Sequence, residues 1–261
     1  MPYISNNGLH LHYESYGKGL PLLLIHGLGS SSKDWELQIA DFSRHYQVIT
    51  VDLRGHGQSD KPPGPYNVSM FVDDIIYLLK SLELPSAHVV GISLGGMVAL
   101  QLAVNAPEIV RSLVVVNSCP AVIPRTIVDQ IKLWVRIALI QTIGIRNTTF
   151  IISKKLFPKP EQSLLRKTLI ERWSTNDKRA YLHSYRSIMG WSVLDRLDAI
   201  NCPTLIISGD RDYIPMNIKR ECVSQIKNAE LQVISDSGHA TPVDQPAQFN
   251  KVLIEFLLKQ S

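Results

Sequence analysis

The stretch His88-Val89-Val90-Gly91-Ile92-Ser93-Leu94-Gly95-Gly96-Met97-Val98-Ala99-Leu100 decides how the chain is read. Its first half is an apolar run that predicts a buried strand over 88–92. Its second half opens a helix over 94–105 that stops before Pro107. At the junction stands Gly91-Ile92-Ser93-Leu94-Gly95, a G-x-S-x-G pentapeptide on a strand-to-helix turn. Such a turn forces strained backbone angles on its central residue, and the flanking glycines leave room for the crowding. It lifts the Ser93 hydroxyl above the sheet edge, where the start of the next helix stabilises developing negative charge. The plain alternative is a serine in an ordinary glycine-rich turn, and the strand and helix on either side argue against it.

On both sides of this turn, short apolar runs alternate with helical patterns. Tyr3-Ile4-Ser5 and Leu9 to Tyr13 flank Asn6-Asn7-Gly8 and predict a hairpin. Strands are expected at 21–25, 47–51 and 112–116, with a short helix at 34–42. A longer helix is expected at 70–82, with Asp73 and Asp74 in its first turn, where the helix dipole favours negative charge. This β-α-β-α order predicts a mostly parallel sheet covered on both faces by helices. The order breaks at Pro120. From 120 to 197 there is no good strand but there are several helical patterns, and in one of them Ile127, Ile131, Trp134, Val135, Ala138 and Leu139 share a face. The β-α pattern resumes with strands at 204–207 and 230–234 and a last helix at 247–258. The expected organisation is one α/β domain made of 1–119 and 198–261, with 120–197 inserted as helices.

Composition fits this reading. The chain has 261 residues, 45% hydrophobic and 19% charged, too apolar for disorder and long enough to bury a full core. The net charge of +4 is weak evidence for a nucleic-acid partner. It is unevenly spread, because 120–197 carries 14 Lys and Arg against 5 Asp and Glu, net +9, and the remainder 13 against 18, net −5. Three cysteines, Cys119, Cys202 and Cys222, suit neither a disulfide framework nor a zinc site. The first residues lack the features of a signal peptide and no apolar run is long enough to span a membrane, so a cytoplasmic protein is expected.

A serine hydroxyl needs an adjacent base, and the base needs an orienting acid. Among eight histidines, His239 alone stands in a Gly-flanked loop after a late strand, in Ser237-Gly238-His239-Ala240-Thr241-Pro242. The loop after the preceding strand, Gly209-Asp210-Arg211-Asp212-Tyr213-Ile214-Pro215, offers two carboxylates. The order Ser93, Asp212, His239 matches the Ser…Asp…His order of one hydrolase class, with Asp210 as the second choice of acid. The strand at 112–116 ends in Asn117-Ser118-Cys119, without a carboxylate. For the oxyanion, the backbone N–H groups of Leu94 and of Leu28, in His26-Gly27-Leu28-Gly29-Ser30, are the expected donors. His26 reads as a structural holder of that loop. Tyr213, Ile214, Val243 and Trp134 are the expected substrate contacts. Trp134, Trp191, Phe150 and Phe157 would otherwise make the core of the insertion.

Taken together, these stretches resemble the α/β-hydrolase fold family. His26 to Gly29, Trp35, Asp52-Leu53-Arg54-Gly55-His56-Gly57-Gln58-Ser59, the turn at Ser93, the 209–215 loop and Gly238-His239 stand in the family's order and cover nearly the whole chain. The resemblance implies an α/β-hydrolase fold with a mostly parallel eight-stranded sheet and a helical lid at 120–197. It favours Asp212 over Asp210 and makes 52–59 a structural loop, so that Arg54 and His56 are not catalytic. Residues 60–66, 91–117 and 176–181 resemble 3-oxoadipate enol-lactonases and related small carboxylesterases. The resemblance is poor in the first half of the lid. Haloalkane dehalogenases look similar but carry an aspartate where Ser93 stands. The implied activity is a cofactor-independent serine hydrolase acting on a small ester or lactone, the basic lid suiting an anionic one. A cofactor-free haloperoxidase, a C–C bond hydrolase, or a ligand-binding or signalling protein on the same fold are the alternatives. The sequence does not indicate an oligomeric state.

Overall fold

The computed structural model describes residues 2–260. Eight strands form one sheet in the order β1-β2-β4-β3-β5-β6-β7-β8. They are β1 (Tyr3–Asn6), β2 (Leu9–Tyr16), β3 (Leu20–Ile25), β4 (Tyr46–Val51), β5 (Ala87–Ile92), β6 (Val110–Val116), β7 (Thr204–Gly209) and β8 (Ala229–Ile234). The β1–β2 and β2–β4 pairings are antiparallel, and all the others are parallel. The helices are α1 (Glu36–Phe42), α2 (Val68–Ser81), α3 (Leu94–Asn105), α4 (Ile127–Thr142), α5 (Gly144–Leu156), α6 (Ser163–Trp173), α7 (Lys178–Ser187), α8 (Met216–Gln225), α9 (Thr241–Asp244) and α10 (Pro246–Leu258). Among the described residues no helix is long and apolar enough to cross a membrane.

Strand period places alternate side chains on opposite faces. Leu22, Leu24, Val90, Val114 and Ile207 pack with Trp35, Phe42, Phe249 and Leu253 from the α1 and α10 side. Their neighbours Leu23, Ile25, Val89, Val115 and Ile206 pack on the other face with Phe71, Val72, Leu78, Val98 and Leu102 of α2 and α3. Strands buried on both faces read as unbroken apolar runs, which is why they were visible in the sequence. The third apolar cluster lies partly in the inserted helices. Leu156, Phe157, Leu169 and Trp173 form it, and Ala240 and Val243 from beside His239 pack against it.

Two local expectations are corrected. Helix α2 starts at Val68, where the Asn67 side chain accepts from the Met70 N–H at 2.9 Å. Asp73 and Asp74 therefore lie beyond the first turn, and Asp74 is buried in a two-pronged pair with Arg54, at 2.6 and 2.7 Å. The apolar stripe of α4 exists but faces outward. Ile127, Ile131, Trp134 and Val135 are exposed, Ile127 by 75%, while Ile137 and Ile140 are buried instead. Of the four aromatics expected to form the insertion's core, Phe157 is buried, Trp191 half-buried, and Trp134 and Phe150 exposed. Trp191 donates to Gln101 Oε1 on α3 at 2.5 Å, tying the end of the insertion to the core.

Candidate active site

Strand β5 runs directly into α3, and Ser93 is the corner between them. Its backbone is at φ +55°, ψ −116°, a conformation that costs a non-glycine residue roughly 1–3 kcal/mol. The corner is held by Ser93 N–H on Val116 O at 3.0 Å and by Ser118 Oγ donating to Ser93 O at 2.7 Å. A Cβ at Gly91 would collide with Gly95 O, and one at Gly95 with Ile25 O. The pentapeptide thus needs its glycines because backbone passes against backbone at both positions.

The loops after β7 and β8 bring the acid and the imidazole together. Asp212 Oδ1 lies 2.7 Å from His239 Nδ1, and both side chains are buried. Burial works to raise the Asp212 pKa, but the His239 hydrogen bond, the His239 charge and the nearby Lys219 outweigh it and hold the carboxyl below its ordinary range. His239 Nε2 is buried and makes no hydrogen bond among the described residues. No Ser93–His239 hydrogen bond therefore exists in this arrangement. The Tyr213 ring stacks on the His239 ring, with centroids 4.1 Å apart. Asp210, the second carboxylate of its loop, is exposed and accepts the Ser237 N–H at 2.9 Å, fastening the two loops to each other.

Asn117 was passed over in the sequence because it is not a carboxylate, yet it is the hub of this arrangement. It is fully buried at the end of β6. Its Nδ2 donates to Gly238 O at 3.1 Å, His239 O at 2.8 Å and Thr241 Oγ1 at 2.7 Å, and its Oδ1 accepts the Gly209 N–H at 2.9 Å. One side chain thereby sets the spacing of the Asp212 and His239 loops. Lys219 on α8 was missed as well, since the run Met216 to Gln225 has the look of a surface helix. Its ammonium is buried against Asp212 Oδ2 and Ser208 Oγ.

The loop after β3 approaches from the other side. His26 is buried, with Nδ1 against Gly27 O at 2.7 Å and Nε2 accepting the Leu53 N–H at 3.1 Å. Both nitrogens are engaged and burial lowers its pKa, so this histidine holds the loop in neutral form. Leu28 and Leu94 are buried. Leu94 is the first residue of α3, where an N–H has no acceptor within its own helix. Asp52 accepts the Ser32 N–H at 2.7 Å and the Gln58 N–H at 2.8 Å, and is a structural tie.

The inserted helices press on both loops. Asn176 Nδ2 donates to Gly29 O at 2.7 Å, and Lys155 Nζ sits 4.5 Å from the Tyr213 ring centroid. Val243 packs against the cluster to which Leu156 and Trp173 belong, while Ile214 is half-buried. Trp134 is 57% exposed on the outer side of α4, so it is not placed as a substrate contact. The inward position on that helix belongs to Arg136. Its guanidinium donates to the Tyr181 hydroxyl and lies 5.0 Å from the Tyr185 ring centroid, and its Nε is buried without a partner. Two open hollows of about 350 and 410 Å³ lie elsewhere, one around Lys227 and Lys259 and one around Asn7 and Lys61. Among the described residues no three His, Cys, Asp or Glu side chains are grouped to hold a metal ion.

Residues 22–252 match the Alpha/beta hydrolase family. RutD of Serratia proteamaculans, named as a carbamate hydrolase, is 29% identical over 95% of this chain and 96% of its own. The 3-oxoadipate enol-lactonase 2 of Acinetobacter baylyi is 26% identical over 96% of this chain and 93% of its own. Among solved structures, the enol-lactonase from Burkholderia xenovorans LB400 superposes with a TM-score of 0.91 at 25% identity, covering 98% of this chain and 100% of that one.

Proposed function

The chain belongs to the alpha/beta hydrolase family, and on that premise we propose that it is a serine hydrolase that cleaves a small carboxylic ester or lactone through an acyl-enzyme. The observation that carries this reading is the pairing at the sheet edge. Asp212 holds His239 through Nδ1 at 2.7 Å and leaves Nε2 without a partner, in a fold whose strained β5–α3 corner presents Ser93.

In this mechanism the Ser93 hydroxyl comes to donate to His239 Nε2, the ring nitrogen that has no other partner. The serine oxygen attacks the substrate carbonyl while the imidazole takes its proton. Asp212 fixes the tautomer with hydrogen on Nδ1 and stabilises the imidazolium. The N–H groups of Leu28 and Leu94 hold the oxyanion, each worth about 3–4 kcal/mol in the transition state. His239 then protonates the leaving alcohol and afterwards activates the water that releases the acid. Tyr213, Ile214 and Val243 line the substrate side, and residues 120–197 act as a lid. Resemblance to enol-lactonases supports a lactone, and the likeness to RutD makes a carbamate carbonyl the next substrate class to try. No cofactor is needed for any step.

The test is a panel of p-nitrophenyl esters, enol-lactones and carbamates assayed with the parent and with Ser93→Ala. Sustained turnover that falls by roughly 10⁶-fold in kcat in the variant is expected. A single stoichiometric burst, with ligand-dependent stabilisation, would point instead to a ligand-binding protein on the same fold.

A further inference from the structure

We infer that Lys219 is a positioning residue for the Asp212–His239 pair, an inference that rests on the reading of Ser93, His239 and Asp212 given above. Its ammonium anchors the carboxylate oxygen that His239 leaves free, and offsets the carboxylate's charge.

The geometry is specific. Asp212 divides its two oxygens between two partners, Oδ1 facing His239 Nδ1 and Oδ2 facing Lys219 Nζ. Lys219 Nζ also donates to Ser208 Oγ at 2.6 Å, and that hydroxyl donates to Gly209 O at 2.8 Å. The anchor therefore runs from the floor of α8 to the end of β7, the strand from which the Asp212 loop departs. The Lys219 and Asp212 side chains are each 1% exposed. A lysine that deep serves no purpose in solubility, and its burial is tolerated only because it is paired.

The charge has a consequence for the proton on His239. A lone buried carboxylate favours an imidazolium strongly. One already facing an ammonium favours it less. The other groups around the pair leave Lys219 as the cation recorded against Asp212. Cys119, after β6, has its thiol pushed up to about 11 by burial and is uncharged at neutral pH. Cys222 on α8 is likewise raised, to about 12. Tyr213, its pKa raised, is uncharged at neutral pH, and Lys155 Nζ faces its ring, 4.5 Å from the centroid.

The experiment compares the acid limb of kcat/KM for the parent, Lys219→Met, Lys219→Gln and Lys219→Arg on one small ester. Loss of the charge in Met or Gln should move the midpoint of that limb up by about one pH unit. It should also lower kcat at neutral pH by about tenfold, as the carboxylate loses its anchor. Arg should restore the midpoint. Gln, which keeps a donor toward Asp212 and Ser208, carries the test if Met does not fold. An unchanged midpoint with a uniformly lower kcat would overturn the inference and leave Lys219 a packing residue. NMR titration of the His239 imidazole in Ser93→Ala, with and without Lys219→Gln, separates the two readings. Turnover surviving Ser93→Ala sinks the serine-hydrolase reading while leaving this titration informative, and a titration that Gln does not shift sinks the Lys219 inference alone.

Discussion

Replacing Asn117 by alanine tests how the acid and base loops are held in register. Four hydrogen bonds disappear, and the Gly209 N–H and the Gly238 and His239 carbonyls lose a buried partner together. Thr241 Oγ1 retains Ser237 Oγ at 2.8 Å and Gly238 O retains Thr241 Oγ1 at 3.2 Å, so the Gly209 N–H and His239 O carry most of the loss. At a net worth of about 1 kcal/mol each, destabilisation of about 2 kcal/mol is expected. For a chain of this size that lowers Tm by roughly 4–8 °C. The loops that carry Asp212 and His239 also lose their common tether, and kcat/KM should fall by about 10- to 100-fold. Asn117 has φ +43°, so backbone strain must be separated from hydrogen bonding. Asn117→Gly removes the strain and the bonds at once, and it should be nearly as damaging as alanine. Chemical denaturation and steady-state kinetics on the same preparations measure both effects. Destabilisation below about 0.5 kcal/mol with activity within twofold of the parent would refute the tether.

The two carboxylates of the 209–215 loop should separate cleanly. Asp212→Asn is expected to lower kcat by about 10⁴-fold by favouring the wrong imidazole tautomer. Asp210→Asn, which weakens an exposed loop contact, should cost less than about tenfold, and equal losses measured by steady-state kinetics would reverse the assignment. His56 and His88 are buried, and burial lowers their pKa values to about 3 and about 4. Both folded values lie below the ordinary 6.5, so the unfolded chain binds more protons between them. Stability should therefore fall as pH drops below about 6.5, by about 1.4 kcal/mol per pH unit for each histidine until its folded pKa is reached. His88→Gln should flatten that slope by one proton in denaturation curves between about pH 6 and 4; an unchanged slope contradicts the cause.

The alternation of strands and helices was legible because strands buried on both faces cannot hide among polar residues. The Ser93 turn was legible because close backbone approach dictates glycine at fixed offsets. His239 and Asp212 were found through their places after late strands, and the structure puts them in contact. Periodicity revealed the stripe on α4 but could not say which way it faced. In the fold the stripe points outward, and Arg136 points inward. Lys219 was invisible for a related reason, since a charged residue in a polar helix carries no mark of burial until a partner carboxylate is placed beneath it. Asn117 was set aside as the wrong chemistry for an acid, when its part is to hold two backbones at once. Each of these depends on which segments meet in space, and local pattern does not encode that.

The central claim is that Ser93 is the nucleophile served by His239. Treatment with a fluorophosphonate, followed by intact-mass and peptide mass spectrometry, tests it most directly. One phosphonyl group per chain, located on Ser93 and lost in His239→Ala on the same timescale, is the expected result. Labelling that falls elsewhere, or proceeds as fast without the imidazole, would contradict it.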